Sequence, residues 1–187
     1  MYIGGGLANK MFQYAFSLAI KKKCYDVVYD TITFKTEFVH DRVELDDIFP
    51  NVNMNKILKS DYWAAGKQSK LARLVKRISP KYITEHAYLF NDKVWEQIKP
   101  TCYLESSWQD ENYFVSAADE VRQAFVFPPF EDERNVEVAQ AMASSNSVAI
   151  HIRKGDGYGT WNIFSNTCPK KYYDKALGYI KEHVESP

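Results

Sequence analysis

Apolar residues recur with a helical period near the start of the chain and form short continuous runs further along. Between residues 10 and 23 they cover most of a helix circumference, which predicts a helix buried between layers, with Asn9 at the N-cap position. The apolar run at residues 27–29, which ends at Asp30, predicts a short strand. Loop, helix and strand in this order are typical of an α/β unit.

The later part of the chain predicts a second unit of the same kind. Residues 102–104 and 148–152 are apolar runs expected to form strands, and only His151 interrupts the second. Helices are expected over residues 112–126, 136–143 and about 170–184, with a turn at 144–147.

A further amphipathic helix is expected over residues 67–78. Its apolar residues are predicted to face inward: Leu71, Leu74, Val75 and Ile78. Its cations are predicted to face outward: Lys67, Lys70, Arg73, Lys76 and Arg77. The cationic face is either a solvated surface or a contact with an anionic membrane.

Composition restricts the class of protein. The chain has 187 residues, 45 % of them apolar, as in an ordinary globular protein. Its 24 basic and 24 acidic residues cancel, which argues against a general nucleic-acid binder. Three widely spaced cysteines, Cys24, Cys102 and Cys168, indicate reduced thiols rather than a disulfide framework or a zinc site. No secretion signal or membrane span is recognisable.

The stretch GGGLAN, residues 4–9, precedes the first predicted helix, as in a loop that holds a ligand at a helix N-terminus. Gly4 and Gly6, with Asp30 further on, imitate a dinucleotide fingerprint, but Asn9 stands where the third glycine belongs. The plainer interpretation is a tight turn followed by a helix cap at Asn9.

The stretch VAIHIRKGDGYG, residues 148–159, contains the second group of candidates. Arg153, Gly155 and Asp156 follow a predicted buried strand, at the sheet edge where α/β proteins bind ligands. An arginine fork beside glycines suits a diphosphate. Alternatively, Arg153 pairs with Asp156 at the surface and His151 is a core histidine. His151 and Asp156 are too few to indicate a metal, and no Asp-x-Asp pattern occurs.

Together these stretches resemble glycosyltransferase family 11, the bacterial α-1,2-fucosyltransferases and their relatives. The family pattern G-G-L-G-N-Q-M-F-Q-Y-A is matched at nine positions: Gly5, Gly6, Leu7, Asn9, Met11, Phe12, Gln13, Tyr14 and Ala15. The pattern H-x-R-x-G-D is matched at His151, Arg153, Gly155 and Asp156. The segments RVELDDIF, SWQDENYF, VRQAFVF and NTCPKKYYDKALGYI are similar to family segments in the same order. Ala8 and Lys10 depart from the pattern.

The resemblance implies an α/β fold of the GT-B type, with two Rossmann-like domains. Residues 1–143 are expected to form the N-terminal, acceptor-side domain. Residues 144–187 are expected to begin a C-terminal domain that binds GDP-fucose. The chain is therefore expected to be truncated, to lack part of the strand before GGGLAN, and to be inactive alone.

The implied reaction is inverting transfer of fucose from GDP-fucose to a glycan hydroxyl, in an α-1,2 linkage and without a metal or other cofactor. Arg153 would take the charge of the leaving diphosphate. His151, Gly155, Gly5 and Gly6 would bind the donor or its phosphates, and Asn9 would hydrogen-bond the fucose or a phosphate. Asp156 would fix Arg153 or act as the base.

The resemblance also implies a place in bacterial surface polysaccharide synthesis. The acceptor would be a glycan, either free or lipid-linked. The protein would be cytoplasmic, either without membrane contact or peripheral to the inner face of the membrane. Two alternatives are an NAD-dependent Rossmann oxidoreductase that uses Gly4, Gly6 and Asp30, and a catalytically inactive glycan-binding module, suggested by Ala8 and Lys10.

Overall fold

Short parallel strand segments form the sheet that positions the glycine loop. The structure, a computed structural model, describes residues 1–32, 43–57, 62–65, 67, 69–85, 89–152 and 168–186. The strands Tyr82–Ile83 and Tyr103–Leu104 pair in parallel, with Tyr82 opposite Tyr103 and Ile83 opposite Leu104. Isolated parallel bridges join Tyr2 to Asp30 and Tyr29 to Lys56. The mixture of helices and parallel pairing agrees with the predicted α/β class, while the two-domain GT-B type stays a prediction.

One backbone hydrogen bond joins these pairings into a single order. The amide of Tyr2 donates to the carbonyl of Leu104 at 2.9 Å. The segments therefore lie side by side in the order 55–57, 28–30, 1–3, 103–105 and 81–83. The segment before the three glycines lies in the middle of the row, so the loop that follows it begins at the centre of the sheet.

The first predicted helix is confirmed, and it spans Leu7–Lys22. It is largely buried and supplies side chains to two apolar clusters. Phe16 and Ile20 pack with Met1, Leu104 and Trp108 in one cluster. Tyr14 from the same helix packs with Ile3, Tyr29, Leu45 and Phe49 in the other. The helix is therefore fixed on more than one side, which holds its N-terminus in place.

Of the remaining helices in the described part, four lie where helices were predicted, whereas Leu45–Ile48 and Lys93–Gln97 were not predicted. The four are Lys70–Ile78, Ala118–Ala124, Glu133–Ala143 and Lys170–His183. The helix expected over residues 112–126 is divided, because the 3₁₀ turns Glu111–Tyr113 and Val115–Ala117 precede Ala118–Ala124. The cysteines Cys24, Cys102 and Cys168 are free thiols, as expected.

The predicted orientation of the basic amphipathic helix is wrong. In Lys70–Ile78 the buried residue is Ala72, whereas Leu71, Leu74 and Ile78 are exposed by 60, 52 and 69 %. Lys76 is drawn against the body of the protein by an ion pair with Glu105 at 2.5 Å. The small alanine and this ion pair set the orientation, which leaves the apolar stripe in contact with solvent.

Two buried polar contacts hold the middle of the sheet. Asp30 is fully buried, and its Oδ2 accepts a hydrogen bond from the Tyr103 hydroxyl at 2.8 Å, while Oδ1 accepts from the Ile32 amide at 3.1 Å. The hydroxyls of Ser17 and Tyr29 lie 2.8 Å apart. Burial raises the pKa of Tyr29 to about 12, so this phenol stays protonated and hydrogen-bonded at neutral pH.

The chain divides into two compact units, Met1–Pro128 and Pro129–Pro187. The predicted domain boundary between residues 143 and 144 stays a prediction.

In the second unit the strand expected over residues 148–152 is not formed, and Val148, Ile150 and Ile152 are 39, 52 and 57 % exposed. A strand requires a hydrogen-bonded neighbour, and the described part of this unit supplies none.

Replacing Tyr103 with Phe tests the buried contact to Asp30. The variant removes one donor from a fully buried carboxyl group, so the free energy of unfolding should fall by about 1–3 kcal/mol. Urea denaturation followed by circular dichroism measures this change. The matched control is Tyr25→Phe, because the Tyr25 hydroxyl has no hydrogen bond in the part of the chain that the structure describes. Equal stability of the two variants would contradict the role of Tyr103.

Candidate functional site

The glycine loop lies at the carboxyl end of the central strand segment. The amide of Ile3 donates to the carbonyl of Asp30 at 3.0 Å, and the chain then leaves the sheet through Gly4, Gly5 and Gly6. Gly5 has φ +87°, a backbone conformation that strongly favours glycine. Gly6 is extended and is the N-cap of the first helix. The loop therefore joins a sheet edge to a helix N-terminus, which is a common ligand-binding position in α/β proteins.

Asn9 is not the helix cap that the sequence predicts. It is the third residue of the helix, since the helix begins at Leu7, and the N-cap Gly6 has no side chain to cap it. Backbone amides of the first turn have no partner within a helix, and their dipoles make the N-terminus electropositive. No acidic residue stands in this first turn. Asn9 is therefore released from capping and its side chain makes a different contact.

The side chain of Asn9 connects the glycine loop to a segment a hundred residues away. Its Oδ1 accepts a hydrogen bond from Nε2 of Gln109. On its other side Asn9 closes over Gly5, where an added Cβ would lie 2.7 Å from Asn9 Nδ2. Gly5 therefore has two reasons to be glycine, its positive φ and the close approach of Asn9.

Gln13 provides the second connection between the same two regions. It is 1 % exposed. Its Oε1 accepts from the amide of Gly4 at 2.8 Å, and its Nε2 donates to the carbonyl of Ser106 at 3.1 Å. One side-chain amide thus joins the carboxyl ends of two neighbouring strand segments. Lys10, which is 5 % exposed, connects the same helix to a different segment, since its Nζ donates to the carbonyl of Val43 at 2.5 Å.

The segment SWQDENYF, residues 107–114, is positioned by its own contacts. Trp108 has φ +52° and is buried against Phe16 and Tyr113, with ring centroids 4.8 and 5.4 Å away. Asp110 accepts from the amides of Asn112 and Phe90, at 2.9 and 2.8 Å. The bond from Asn112, with that from Phe90, lowers the pKa of Asp110. Trp108 and Asp110 therefore fix Gln109 from both sides.

The structure brings together only some of the predicted site residues. Gly5, Gly6 and Asn9 lie in one cluster of the first unit, with Gln13 and Gln109, to which the sequence patterns assigned no role. Gln109 stands in SWQDENYF, so the resemblance marked its segment without marking the residue. Arg153, Gly155 and Asp156 lie outside the described residues.

His151 is described, and it lies in the second unit. It is exposed, and its carbonyl accepts a hydrogen bond from the Tyr173 hydroxyl at 3.0 Å. Among the residues that the structure describes, His151 is therefore not part of a core. A role for its imidazole at a donor phosphate stays a prediction.

Asp30 does not have the geometry that the dinucleotide alternative requires. A ribose-binding acid must present its carboxylate to the ligand. The carboxyl group of Asp30 is fully buried and accepts hydrogen bonds from Tyr103 and Ile32. Its role in this structure is to join strand segments, which counts against the oxidoreductase alternative.

Two further features are absent from the residues that the structure describes. These residues contain no group of three or more His, Cys, Asp or Glu side chains placed to hold a metal ion. Among their helices none has the length and apolar character needed to cross a membrane.

The chain is similar to an α-1,2-colitosyltransferase from Escherichia coli. The two are 25 % identical over 195 aligned positions, which cover 98 % of this chain and 64 % of the relative. The chain thus spans about 64 % of the length of the curated relative that it matches. No protein-family model and no solved structure matches the chain. Since the similarity runs through nearly the whole chain, it supports a glycosyltransferase family.

Alanine substitutions at the adjacent glycines test the geometry of the loop. Gly5→Ala should lower the free energy of unfolding by about 1–2 kcal/mol through the left-handed conformation alone, and should also displace Asn9 from Gln109. Gly6→Ala is the matched control, because Gly6 has φ −67° and nothing lies within 4 Å of its added Cβ. The free energy of unfolding of Gly6→Ala should stay within about 0.5 kcal/mol of that of the unaltered chain. Alanine is a poorer N-cap, which destabilises, but it also makes the unfolded chain less flexible, which stabilises.

Thermal or urea unfolding measures the stability of both glycine variants. The side-chain amide resonances of Asn9 and Gln109 in NMR spectra report the contact itself. If the two variants were equally stable and both retained the contact, the close approach of Gly5 to Asn9 would be wrong.

Proposed function

We propose that this chain is part of a glycosyltransferase that transfers fucose from GDP-fucose to a glycan hydroxyl in an α-1,2 linkage, with inversion at the sugar. The observation that carries the proposal is the similarity to an α-1,2-colitosyltransferase along 98 % of the chain. The two family 11 patterns in the sequence agree with it. The glycine loop at the centre of a parallel sheet adds a suitable place for a ligand.

In this proposal the helix N-terminus and Asn9 form the N-terminal side of the active site. Oδ1 of Asn9 is engaged by Gln109, so Nδ2 is the group that remains to donate a hydrogen bond to a sugar or phosphate oxygen. The electropositive first turn of the helix favours an anionic or oxygen-rich ligand. Because Gln13 and Gln109 hold this region, its geometry is set before a ligand binds.

The chemical step places opposite charges on the two parts of the donor. Direct displacement at the anomeric carbon builds positive charge on the sugar and negative charge on the departing nucleoside diphosphate. We assign that negative charge to Arg153, whose guanidinium offers a bidentate fork to phosphate oxygens. His151 and Gly155 complete the phosphate site, and Asp156 fixes Arg153 or takes the acceptor proton.

The name of the relative suggests a second donor. The relative is a colitosyltransferase, so a nucleotide-activated colitose is the alternative donor to GDP-fucose. The proposed setting is the cytoplasmic side of a bacterial membrane, with a GT-B arrangement and a glycan acceptor that is lipid-linked. The inactive glycan-binding module remains the rival, because Ala8 and Lys10 depart from the family pattern.

Donor competition and turnover test the proposal directly. The full-length protein is incubated with GDP-fucose and glycan acceptors, and the product linkage is read by mass spectrometry and NMR. GDP should compete with the donor and NAD should not. Saccharide binding without transfer from any nucleotide sugar would favour the module, and NAD binding without GDP binding would favour the oxidoreductase.

The role of Arg153 predicts a large and specific loss of turnover. Arg153→Ala should lower kcat by about 10²–10³-fold, the scale for deleting one charge-stabilising donor. Arg153→Lys should restore little, because a point charge does not replace a planar fork. Arg122→Ala is the control, since Arg122 is exposed and pairs with Asp119 at 3.0 Å. Turnover of Arg153→Ala close to that of the control would contradict the assignment.

Transfer is also expected to be independent of a divalent metal. The expectation follows from the absence of an Asp-x-Asp pattern in the sequence and from Arg153 as the cation at the diphosphate. Turnover measured in excess EDTA should equal turnover without it. Activity that disappears with EDTA and returns with Mg²⁺ or Mn²⁺ would overturn the expectation.

A further inference from the structure

Positive charge is concentrated in one stretch of a chain whose net charge is zero. Residues 62–84, here called the basic segment, contain six lysines and arginines and no aspartate or glutamate: Lys67, Lys70, Arg73, Lys76, Arg77 and Lys81. All 24 acidic residues of the chain lie outside it. Such segregation creates a local positive potential that the overall composition conceals.

The same segment exposes large apolar side chains. Leu71, Leu74 and Ile78 lie at i, i+3 and i+7 on the helix Lys70–Ile78, so they share one face, and each is more than half exposed. Trp63 is 52 % exposed, and Nζ of Lys67 lies 4.4 Å from the centre of its ring. Aligned apolar residues of this size in contact with water mark an interaction surface rather than scattered surface residues.

The attachment of the helix to the protein determines which of its cations are presented outward. Lys76 forms an ion pair with Glu105, with 9 and 13 % of the two side chains exposed, so its charge is used internally. Lys70 and Arg77 are exposed on the helix, and Lys81 follows it. Glu96 lines a second cleft, together with Arg77 and Lys99. The outward charge therefore remains positive.

A cleft beside the helix is suited to an anionic group. It encloses about 530 Å³ and is lined by Arg73, Lys76, Arg77, Tyr82, Thr84, Gln97 and Glu105. A phosphate is small against this volume and would find the Arg77 guanidinium and the hydroxyls of Tyr82 and Thr84 at the walls, beside the ion pair of Lys76 with Glu105. The exposed apolar stripe belongs to the same helix, so an apolar group and a phosphate could be bound together.

We propose that the basic segment docks on the surface of an anionic lipid bilayer. Leu71, Leu74 and Ile78 enter the boundary between headgroups and acyl chains, while the exposed cations contact lipid phosphates. Basic residues with leucine and tryptophan and without acids are the composition of interfacial helices. Each basic side chain near such a surface increases membrane partitioning by roughly fivefold.

The charge and the apolar stripe of the basic segment disfavour two other binding partners for this surface. A second copy of the chain related by a two-fold axis would place the same cations against each other, which is repulsive. Nucleic acid would meet the cations but would leave the apolar stripe exposed to water. A lipid bilayer satisfies both the apolar and the cationic side chains. The proposal does not depend on sugar transfer, although a lipid-linked acceptor would be reached from the same surface.

Vesicle binding tests the proposal with the 187-residue chain. Co-sedimentation is measured with vesicles of phosphatidylglycerol and phosphatidylcholine in equal parts, and with vesicles of phosphatidylcholine alone. The chain should bind the anionic vesicles, and rising NaCl concentration should weaken binding because it screens the charges. Leu74→Gln and Lys70→Gln should each lower the partition coefficient by about fivefold.

Matched controls separate docking from a general loss of apolar surface or charge. Val115 is 65 % exposed and Lys93 is exposed, and both lie outside the basic segment, so Val115→Gln and Lys93→Gln should bind vesicles like the unaltered chain. Far-ultraviolet circular dichroism checks that each variant is folded. All four substitutions are at exposed positions, so each variant is expected to fold.

Three results would overturn the proposal. They are equal binding to neutral and anionic vesicles, no binding to either, and unchanged binding in both basic-segment variants. If the chain did not bind vesicles but formed a dimer, and Leu74→Gln dissociated that dimer, the face would instead be a contact between copies of the chain. None of these results depends on a sugar donor, so failure of docking and failure of the transferase proposal are distinguishable.

Discussion

The buried amide of Gln13 is the contact on which the candidate site depends. Its two ends have opposite hydrogen-bonding character, so it can accept from Gly4 and donate to Ser106 at once. A buried backbone group without a partner is costly, and a glycine loop has no side chains with which to satisfy its own amides. Gln13 supplies that partner from the first helix, which directly follows the loop. The loop, the helix and the neighbouring strand are therefore held as one unit.

The contacts around Gln13 explain the composition of the rest of the site. Gly5 brings the backbone against Asn9, and Asn9 accepts from Gln109, so the first turn of the helix is also held by the segment 107–114. Trp108 and Asp110 in turn anchor Gln109 on both sides. An electropositive helix end that is fixed in this way needs little rearrangement to receive an anionic or oxygen-rich ligand.

Local patterns were sufficient for much of the fold. The period of apolar residues located the first helix and the helices Glu133–Ala143 and Lys170–His183, since each depends on neighbours three and four positions apart. They were insufficient where distant residues decide. Ala72 faces inward and Leu71 outward because of contacts such as Lys76 with Glu105, which lie 29 residues apart. Residues 148–152 have apolar strand composition, yet composition does not supply a hydrogen-bonded neighbour.

The site shows the same division between local and distant information. The three glycines and Asn9 were recognisable as a ligand-binding loop, but Asn9 was predicted as a cap because the pattern does not reveal that Gly6 already ends the loop. No role was predicted for Gln13, although it matches the family pattern, or for Gln109, because their partners Ser106 and Asn9 are far away in sequence. A side-chain amide carries no distinctive period or charge, so only the three-dimensional arrangement identifies it.

The hydrogen bond between Asn9 and Gln109 has a consequence for the evolution of the protein. A carbonyl oxygen at one end and an amide nitrogen at the other form a matched pair, so an exchange at position 9 that removes the acceptor leaves position 109 with an unused donor. Selection then acts on both positions together, although a hundred residues separate them. In sequences that descend from a common ancestor, substitutions at these two positions should therefore be correlated, and a lineage that loses one should lose or replace the other.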